Sequence, residues 1–266
     1  MKERLDAALA SRGLLPSRER AKAAVMAGIV YVDGIRADKP GTPVGAGAEL
    51  SVKGGGCPYV SRGGLKLEKA LQEFGLDLNG ASAMDIGAST GGFTDCLLKN
   101  GAAPVYAVDV GYGQLDWKLR NDNRVVNMEK VNIRHLDPGA VDMRFDFICI
   151  DVSFISLKLV FPVASELLKA DGRLVCLAKP QFEAGRKQVG KKGIVKDKEV
   201  HKEVVSNVIA YGAESGLFAH GLTYSPVTGA KGNIEYLLLF VKNRAGVDGV
   251  DQVAINAVVN DSHYEF

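Results

Sequence analysis

No apolar run in this chain is long enough to cross a bilayer. The longest, Tyr236 to Val241, covers six residues, and a spanning helix needs about 20. The opening stretch Met1-Lys2-Glu3-Arg4-Leu5-Asp6 is too charged for a secretory signal. Cysteine is scarce: Cys57, Cys96, Cys149 and Cys176 form no C-x-x-C pair and have no histidine at ligand spacing. A metal site and a disulfide framework are therefore not expected. Cys149 and Cys176 lie in apolar, strand-like runs, as buried thiols do in the reducing cytoplasm. Charge of one sign is also missing. Thirty-three Lys and Arg stand against 31 Asp and Glu, a net charge of +2, so any nucleic-acid surface has to be local. There are no internal repeats. What remains is a 266-residue chain, 47% hydrophobic and 24% charged, sufficient for one large soluble domain or a large and a small one.

Residues 1–54 read as the small one. Leu5, Ala8 and Leu9 recur at helical spacing, and Ser17 after Pro16 is placed to cap a second helix that stops at Gly28. Ile29 to Val32 reads as a strand, Asp33-Gly34 as a tight hairpin turn, and Glu49 to Lys53 as a last short strand. A glycine-rich linker, 55–60, follows. From 61 to 243 strands and helices alternate. Strands are expected near 82–86, 104–109, 124–128, 145–150 and 173–179, with the clearest helices at 156–168 and 197–214. An earlier helix carries Leu67, Ala70, Leu71 and Phe74 at i, i+3, i+4, i+7. Leu222 to Tyr224 and Ile234 to Val241 are joined directly by a turn, so they must be antiparallel. The expected class is α/β, a Rossmann-like, mostly parallel sheet with one antiparallel strand, beside a small N-terminal α+β domain. Residues 244–266 are weakly patterned and slightly acidic, and are expected as a tail that forms a short helix or frays.

The most informative stretch is Asp85-Ile86-Gly87-Ala88-Ser89-Thr90-Gly91-Gly92-Phe93, an apolar strand running into a glycine turn and then a helix. The next strand ends on Asp109. Glycines let backbone approach a ligand, and an acid at the end of the second strand suits ribose hydroxyls. The spacing is not the dinucleotide G-x-G-x-x-G, and no Lys-Ser/Thr follows as a phosphate loop requires. The pattern left is the nucleoside loop of S-adenosylmethionine (SAM) methyltransferases. Gly87, Ala88, Ser89, Gly91 and Gly92 are expected under the methionine and ribose of SAM. Asp85 is expected at its amine, Asp109 at its ribose hydroxyls and Glu129 near adenine. A strand–helix junction that holds no ligand is the plain alternative.

Four ionisable residues stand where such a fold places ligands: Lys66 near the start of a helix, Asp151 after the strand 145–150, Lys179 before Pro180, and Glu235 opening the last strand. Asp151 and Lys179 follow adjacent parallel strands and so share one crevice. In order and context the four resemble the Lys-Asp-Lys-Glu tetrad of FtsJ-like ribose 2'-O-methyltransferases. The matching contexts are Ser61-Arg62-Gly63-Gly64-Leu65-Lys66, Phe147-Ile148-Cys149-Ile150-Asp151, Val175-Cys176-Leu177-Ala178-Lys179-Pro180 and Asn233-Ile234-Glu235. The N-terminal residues Arg4-Leu5-Asp6, Leu9, Gly13, Ser17-Arg18, Ala21, Gly28, Val32-Asp33-Gly34 and Lys39-Pro40 resemble the S4 RNA-binding domain. The two in this order resemble the TlyA-type family, often labelled hemolysin A. That resemblance implies a cytoplasmic enzyme methylating a cytidine ribose in ribosomal RNA, free or in a ribosomal subunit, with SAM as cofactor and no metal. Because the chain opens almost at the RNA-binding motif, it favours large-subunit RNA.

A ribose hydroxyl is a poor nucleophile until it loses its proton, so positioning and proton removal dominate such a transfer. Lys179 is the candidate base, with Asp151 directing its amine and Lys66 and Glu235 orienting the ribose. An ordinary lysine holds its proton to about pH 10, so this role demands burial or neighbouring positive charge.

RNA contacts are expected from Arg4, Arg12, Arg18, Arg20, Lys22 and Arg62, and from a second basic segment with Arg186, Lys187, Lys191 and Lys192. Residues 1–54 hold nine Lys/Arg against six acids, and 179–202 hold eight against three. The bland alternative is ordinary solvated surface. Three rival functions are a base N-methyltransferase, since Asp151-Val152-Ser153-Phe154 weakly resembles an acid-Pro-Pro-aromatic motif without its prolines; a membrane-lytic toxin; and an inactive RNA-binding adaptor.

Overall fold

A computed structural model describes residues 2–52, 57–242 and 249–266. The chain divides into two compact units, Met1–Arg62 and Gly63–Phe266. Residues 53–56, which include the start of the expected linker at 55, and 243–248, which include the start of the expected tail at 244, lie outside the described residues.

In the first unit, β1 (Lys2–Arg4) leads into α1 (Leu5–Ser11) and α2 (Arg18–Met26). Ser17 caps α2, its side chain accepting from the Arg20 amide at 3.2 Å. Strands β2 (Val30–Val32) and β3 (Ile35–Arg36) form a hairpin. Asp33 and Gly34 have φ of 52° and 77°, the double left-handed turn that matches strand twist. β4 (Pro43–Gly45) pairs with β1, and β5 (Leu50–Val52) pairs with β2, both antiparallel. Leu5, Leu9, Ala21, Val25, Val30 and Val44 form the small core.

The second unit opens with α3 (Gly63–Glu73), whose buried face carries Leu67, Ala70 and Leu71. There follow β6 (Ala83–Ile86), α4 (Gly92–Lys99), β7 (Val105–Asp109), α5 (Trp117–Arg120), β8 (Val125–Glu129) and β9 (Phe145–Ile150). Next come α6 (Phe161–Leu167), β10 (Leu168–Ala178), α7 (Pro180–Glu183), α8 (Lys198–Glu214), β11 (Phe218–Tyr224), β12 (Tyr236–Val241) and α9 (Gln252–Glu265). Seven strands make one sheet in the order β11-β12-β10-β9-β6-β7-β8. Only β12 is reversed, pairing antiparallel with both β10 and β11, while the other pairs are parallel. From β6 the chain steps outward to β7 and β8, then returns to β9 on the other flank. That reversal leaves a crevice at the carboxyl ends of β6 and β9, where open α/β sheets bind ligands.

One expectation needs correction and another is narrowed. The helix expected over 156–168 is a short 3-10 turn at Leu157–Leu159 and then α6, because Pro162 lacks an amide hydrogen and begins a helix rather than continuing one. The expected tail takes its helical alternative and is docked rather than frayed: α9 buries Ile255 and Val259 in the sheet's core. Ser262 shares a hydrogen bond of 3.1 Å with the Tyr236 hydroxyl, which also bonds Nδ1 of buried His201 at 2.7 Å. Burial pulls the His201 imidazole down to about 4.

Candidate functional site

The glycine turn is built by contact as well as by conformation. Gly87 has φ 90°, and a Cβ there would meet the Asp151 carbonyl oxygen at 2.5 Å. Gly91 has φ 92°, and its Cβ would strike Leu115 and Leu119. The turn therefore lies directly against the end of β9. Beside it is a cavity of about 320 Å³ between the ends of β6, β7 and β9, lined by Gly87, Ser89, Asp109, Val110, Gln114, Ile133 and Asp151 among others.

Asp109 is fixed from both sides. Its Oδ2 accepts from the Ser89 amide at 2.8 Å and its Oδ1 from the Gly111 amide at 2.6 Å. A carboxylate held this way presents its remaining lone pairs in one direction, as two vicinal hydroxyls require. Of the other nucleoside-site candidates, Gly87 and Ser89 line the cavity. Ala88, Gly91 and Gly92 shape the turn behind it. Glu129 forms a two-point ion pair with Arg120, at 2.5 and 3.0 Å, and accepts from the Gly113 amide, so its oxygens are already engaged. Asp85 does not reach the cavity. It is fully buried behind the turn, and one oxygen accepts from Thr94 Oγ1 at 2.6 Å. Burial drives its carboxyl up to about 7, the charge of Asp151 adds to that, and the Thr94 bond opposes it.

Lys66, Asp151, Lys179 and Glu235 come together on the β9–β10–β12 side of the cavity. Lys179 Nζ lies 2.5 Å from Asp151 Oδ1 and 3.1 Å from Ser153 Oγ. Lys66 Nζ donates to Glu235 Oε2 at 2.6 Å, and Gln181 Nε2 donates to Glu235 Oε1 at 3.1 Å. Burial opposes ionisation of Asp151, yet the cations of Lys66 and Lys179 outweigh it and hold the carboxyl below its ordinary value. Two cations and two carboxylates thus compensate one another in a nearly dry place: Lys179 is 7% exposed and Glu235 3%.

No sequence pattern singles out Gln181, and Ser153 and Phe154 enter only through the weak acid-Pro-Pro-aromatic resemblance of 151–154. Ser153 and Gln181 each stand two residues past a site residue, on the same strand end, and that position is the available signal. Phe154 joins them. It holds φ 63°, unusual outside glycine, and is 90% exposed with its ring 4.9 Å from that of Phe182. Both phenylalanines, with Gln181 and Arg186, line a second and more open cavity of about 450 Å³.

The basic residues divide. Arg12 Nη1 and Nη2 donate to the carbonyls of Ala48 and Gly45 at 2.8 and 2.9 Å, with Glu3 further off at 3.5 Å. Arg4 forks onto Asp6, at 3.0 and 2.9 Å, and Arg18 approaches the same carboxylate at 3.5 Å. Arg20 and Lys22 are exposed on α2, Arg62 is half-buried, and Arg186, Lys187, Lys191 and Lys192 are exposed between α7 and α8. Among the described residues no group of three or more His, Cys, Asp or Glu could hold a metal ion, and no helix is long and apolar enough to cross a membrane.

A glycine turn with a ribose-type acid, on a sheet with one reversed strand, defines a SAM-methyltransferase fold. Residues 59–242 match the FtsJ-like methyltransferase family and residues 3–50 match the S4 domain. The chain belongs to the FtsJ-like methyltransferase family and carries an S4 domain ahead of it. Its particular relatives are TlyA proteins. TlyA of Mycobacterium tuberculosis, named a 16S/23S rRNA (cytidine-2'-O)-methyltransferase, is 45% identical over 236 residues, 88% of each chain. TlyA of Campylobacter jejuni, named a 23S rRNA (cytidine-2'-O)-methyltransferase, is 35% identical over 187 residues, 70% of this chain and 72% of that one. The solved structure of a Streptococcus thermophilus protein, 47% identical, superposes with a TM-score of 0.80, covering 100% of this chain and 97% of the other.

Proposed function

We propose that this chain is a cytoplasmic enzyme that moves a methyl group from SAM to the ribose 2'-hydroxyl of a cytidine in large-subunit ribosomal RNA. The observation that carries the proposal is the buried contact of Lys179 with Asp151 and Ser153, on the wall of a cavity whose other side offers Asp109.

The cofactor fits what is present. Asp109 takes its ribose hydroxyls, the missing Cβ at Gly87 lets the turn close against the Asp151 carbonyl beside the cavity, and Val110 and Ile133 give apolar walls for adenine. When bound, SAM supplies an electrophilic methyl group, so the protein's remaining work is to position the acceptor and remove a proton. Lys179 first releases the proton of its ion pair with Asp151 to solvent, and its amine then accepts the proton of the 2'-hydroxyl. Asp151 and Ser153 fix the amine's direction. Lys66 and Gln181 hold Glu235 so that its carboxylate can orient the sugar. The Phe154–Phe182 pair offers an aromatic surface beside that acceptor position for the cytosine ring. We assign RNA phosphates to Arg20, Lys22, Arg186, Lys187, Lys191 and Lys192, which are open to solvent. In this division residues 1–54 hold RNA and 61–243 perform the transfer. The names of the TlyA relatives support cytidine and ribosomal RNA as the substrate.

The test is incubation with methyl-labelled SAM and separated ribosomal subunits, then nuclease digestion and mass spectrometry. Label is expected on a cytidine ribose of the large subunit. Label on a base, or none on either subunit, overturns the proposal.

A further inference from the structure

The segment that runs on from Val110, at the wall of the cofactor cavity, bears three large apolar side chains in water. Val110 is 68% exposed, Tyr112 71% and Trp117 75%. They are not a floppy loop. The Lys130 amide donates to the Gly111 carbonyl at 2.9 Å, the Gly113 amide to Glu129 at 2.7 Å, and the Asp116 amide to the Thr90 carbonyl at 3.2 Å. The segment is thus anchored to the tip of β8 and to the glycine turn. Exposing fixed aromatic surface costs free energy that a partner recovers.

Charge narrows the partner. Lys130 Nζ sits 4.3 Å from the centroid of the Tyr112 ring. Lys118, Lys130 and Arg134 form no ion pair among the described residues. The acids here are engaged: Glu129 by Arg120, Asp122 by Arg124 at 2.7 Å, and Asp116 by the Lys118 amide it caps at 2.9 Å. Aromatic faces interleaved with cations are how proteins hold unpaired nucleotides, the rings stacking on bases and the cations meeting phosphates. Val110 belongs both to this surface and to the cofactor cavity. One cavity thus carries Val110 at one wall and Asp151 and Ser153, the partners of Lys179, at another. β9 and β10 carry the acceptor side, and β7 and β8 the aromatic side.

We propose that Val110, Tyr112 and Trp117, with Lys118 and Lys130, form a stacking platform for unpaired nucleotides flanking the methylated residue. This rests on the proposed action on RNA and adds a second footprint to it.

Trp117 is the one tryptophan in the sequence, so its emission reports on this surface alone. The full chain is titrated with an end-labelled large-subunit ribosomal RNA transcript, and RNA anisotropy and tryptophan emission are followed together. Binding accompanied by quenching of Trp117 is expected. Trp117→Ala should weaken RNA binding about tenfold, as expected when one base loses its stacking partner, with SAM affinity and melting unchanged, and Trp117→Phe should restore most of it. RNA that binds without quenching, or binds Trp117→Ala equally well, overturns the platform while action on RNA stands. No RNA binding overturns both. Emission that shifts with protein concentration alone marks an association between copies of this chain and overturns the platform too.

Discussion

Arg12 in the first unit and Lys179 in the second are both cations drawn back from solvent, but they are satisfied in different ways. Arg12 donates to the carbonyls of Ala48 and Gly45, so it ties α1 to the segment between β4 and β5. Its two short hydrogen bonds go to neutral acceptors, Glu3 stands at 3.5 Å, and a guanidinium does not give up its proton. Lys179 faces a carboxylate and a hydroxyl whose residues, Asp151 and Ser153, line the cavity. An amine so placed is the base of the proposed transfer, a role that no arginine fills. A withdrawn cation is therefore a staple or a reagent according to what it faces, and residue type with sequence position does not separate the two.

The largest expected effect breaks the reagent. Lys179→Ala and Asp151→Ala should each lower methyl transfer at least a hundredfold, the usual weight of a positioned acid or base, while calorimetry shows SAM binding retained. Lys179→Arg sharpens the point, because it keeps the charge and removes the base. It should be as inactive as the alanine variant in the same labelled-methyl assay. Near-normal turnover in any of these would remove Lys179 from the chemistry.

Second in size is the staple. Arg12→Ala removes two charge-assisted hydrogen bonds to backbone carbonyls and should destabilise the first unit by about 2 kcal/mol. Denaturant titration followed by hydrogen exchange in residues 5–52 reads this directly. Arg20→Ala, on the exposed face of α2, should leave that stability unchanged and weaken RNA binding instead. If both variants melt alike, the contrast between staple and surface cation fails within this unit.

The sequence could be read furthest where local rules decide. Asp33-Gly34 calls for positive φ at both positions, Ser17 after Pro16 is a ready N-cap, and the alternation of strands and helices implies the parallel sheet. The order of Lys66, Asp151, Lys179 and Glu235 is legible only through the resemblance, since 169 residues separate the partners Lys66 and Glu235. Their ion pair depends on α3 and β12 meeting across the sheet, which no spacing reveals. Asp85 marks another limit. Its place in the motif suggests a ligand contact, yet Thr94, nine residues on, turns it inward. For α9, a weak apolar pattern gives no sign of burial, because two residues, Ile255 and Val259, are enough to dock it. In the basic clusters composition does not tell Arg12 from Arg20, since the difference lies in carbonyls 33 and 36 residues away.

The smallest effect concerns Lys191 and Lys192, exposed ahead of α8. The proposed proton transfer to Lys179 makes no use of them, so Lys191→Glu with Lys192→Glu should leave turnover at saturating RNA unchanged. Affinity should fall, and its dependence on salt should flatten by about 0.7 in logarithmic slope for each phosphate of single-stranded RNA that is no longer neutralised. Anisotropy measured over a range of salt gives that slope without reference to activity. An unchanged slope would return these lysines to ordinary solvated surface, and the staple–reagent distinction would then have no third member, the cation that serves only at long range.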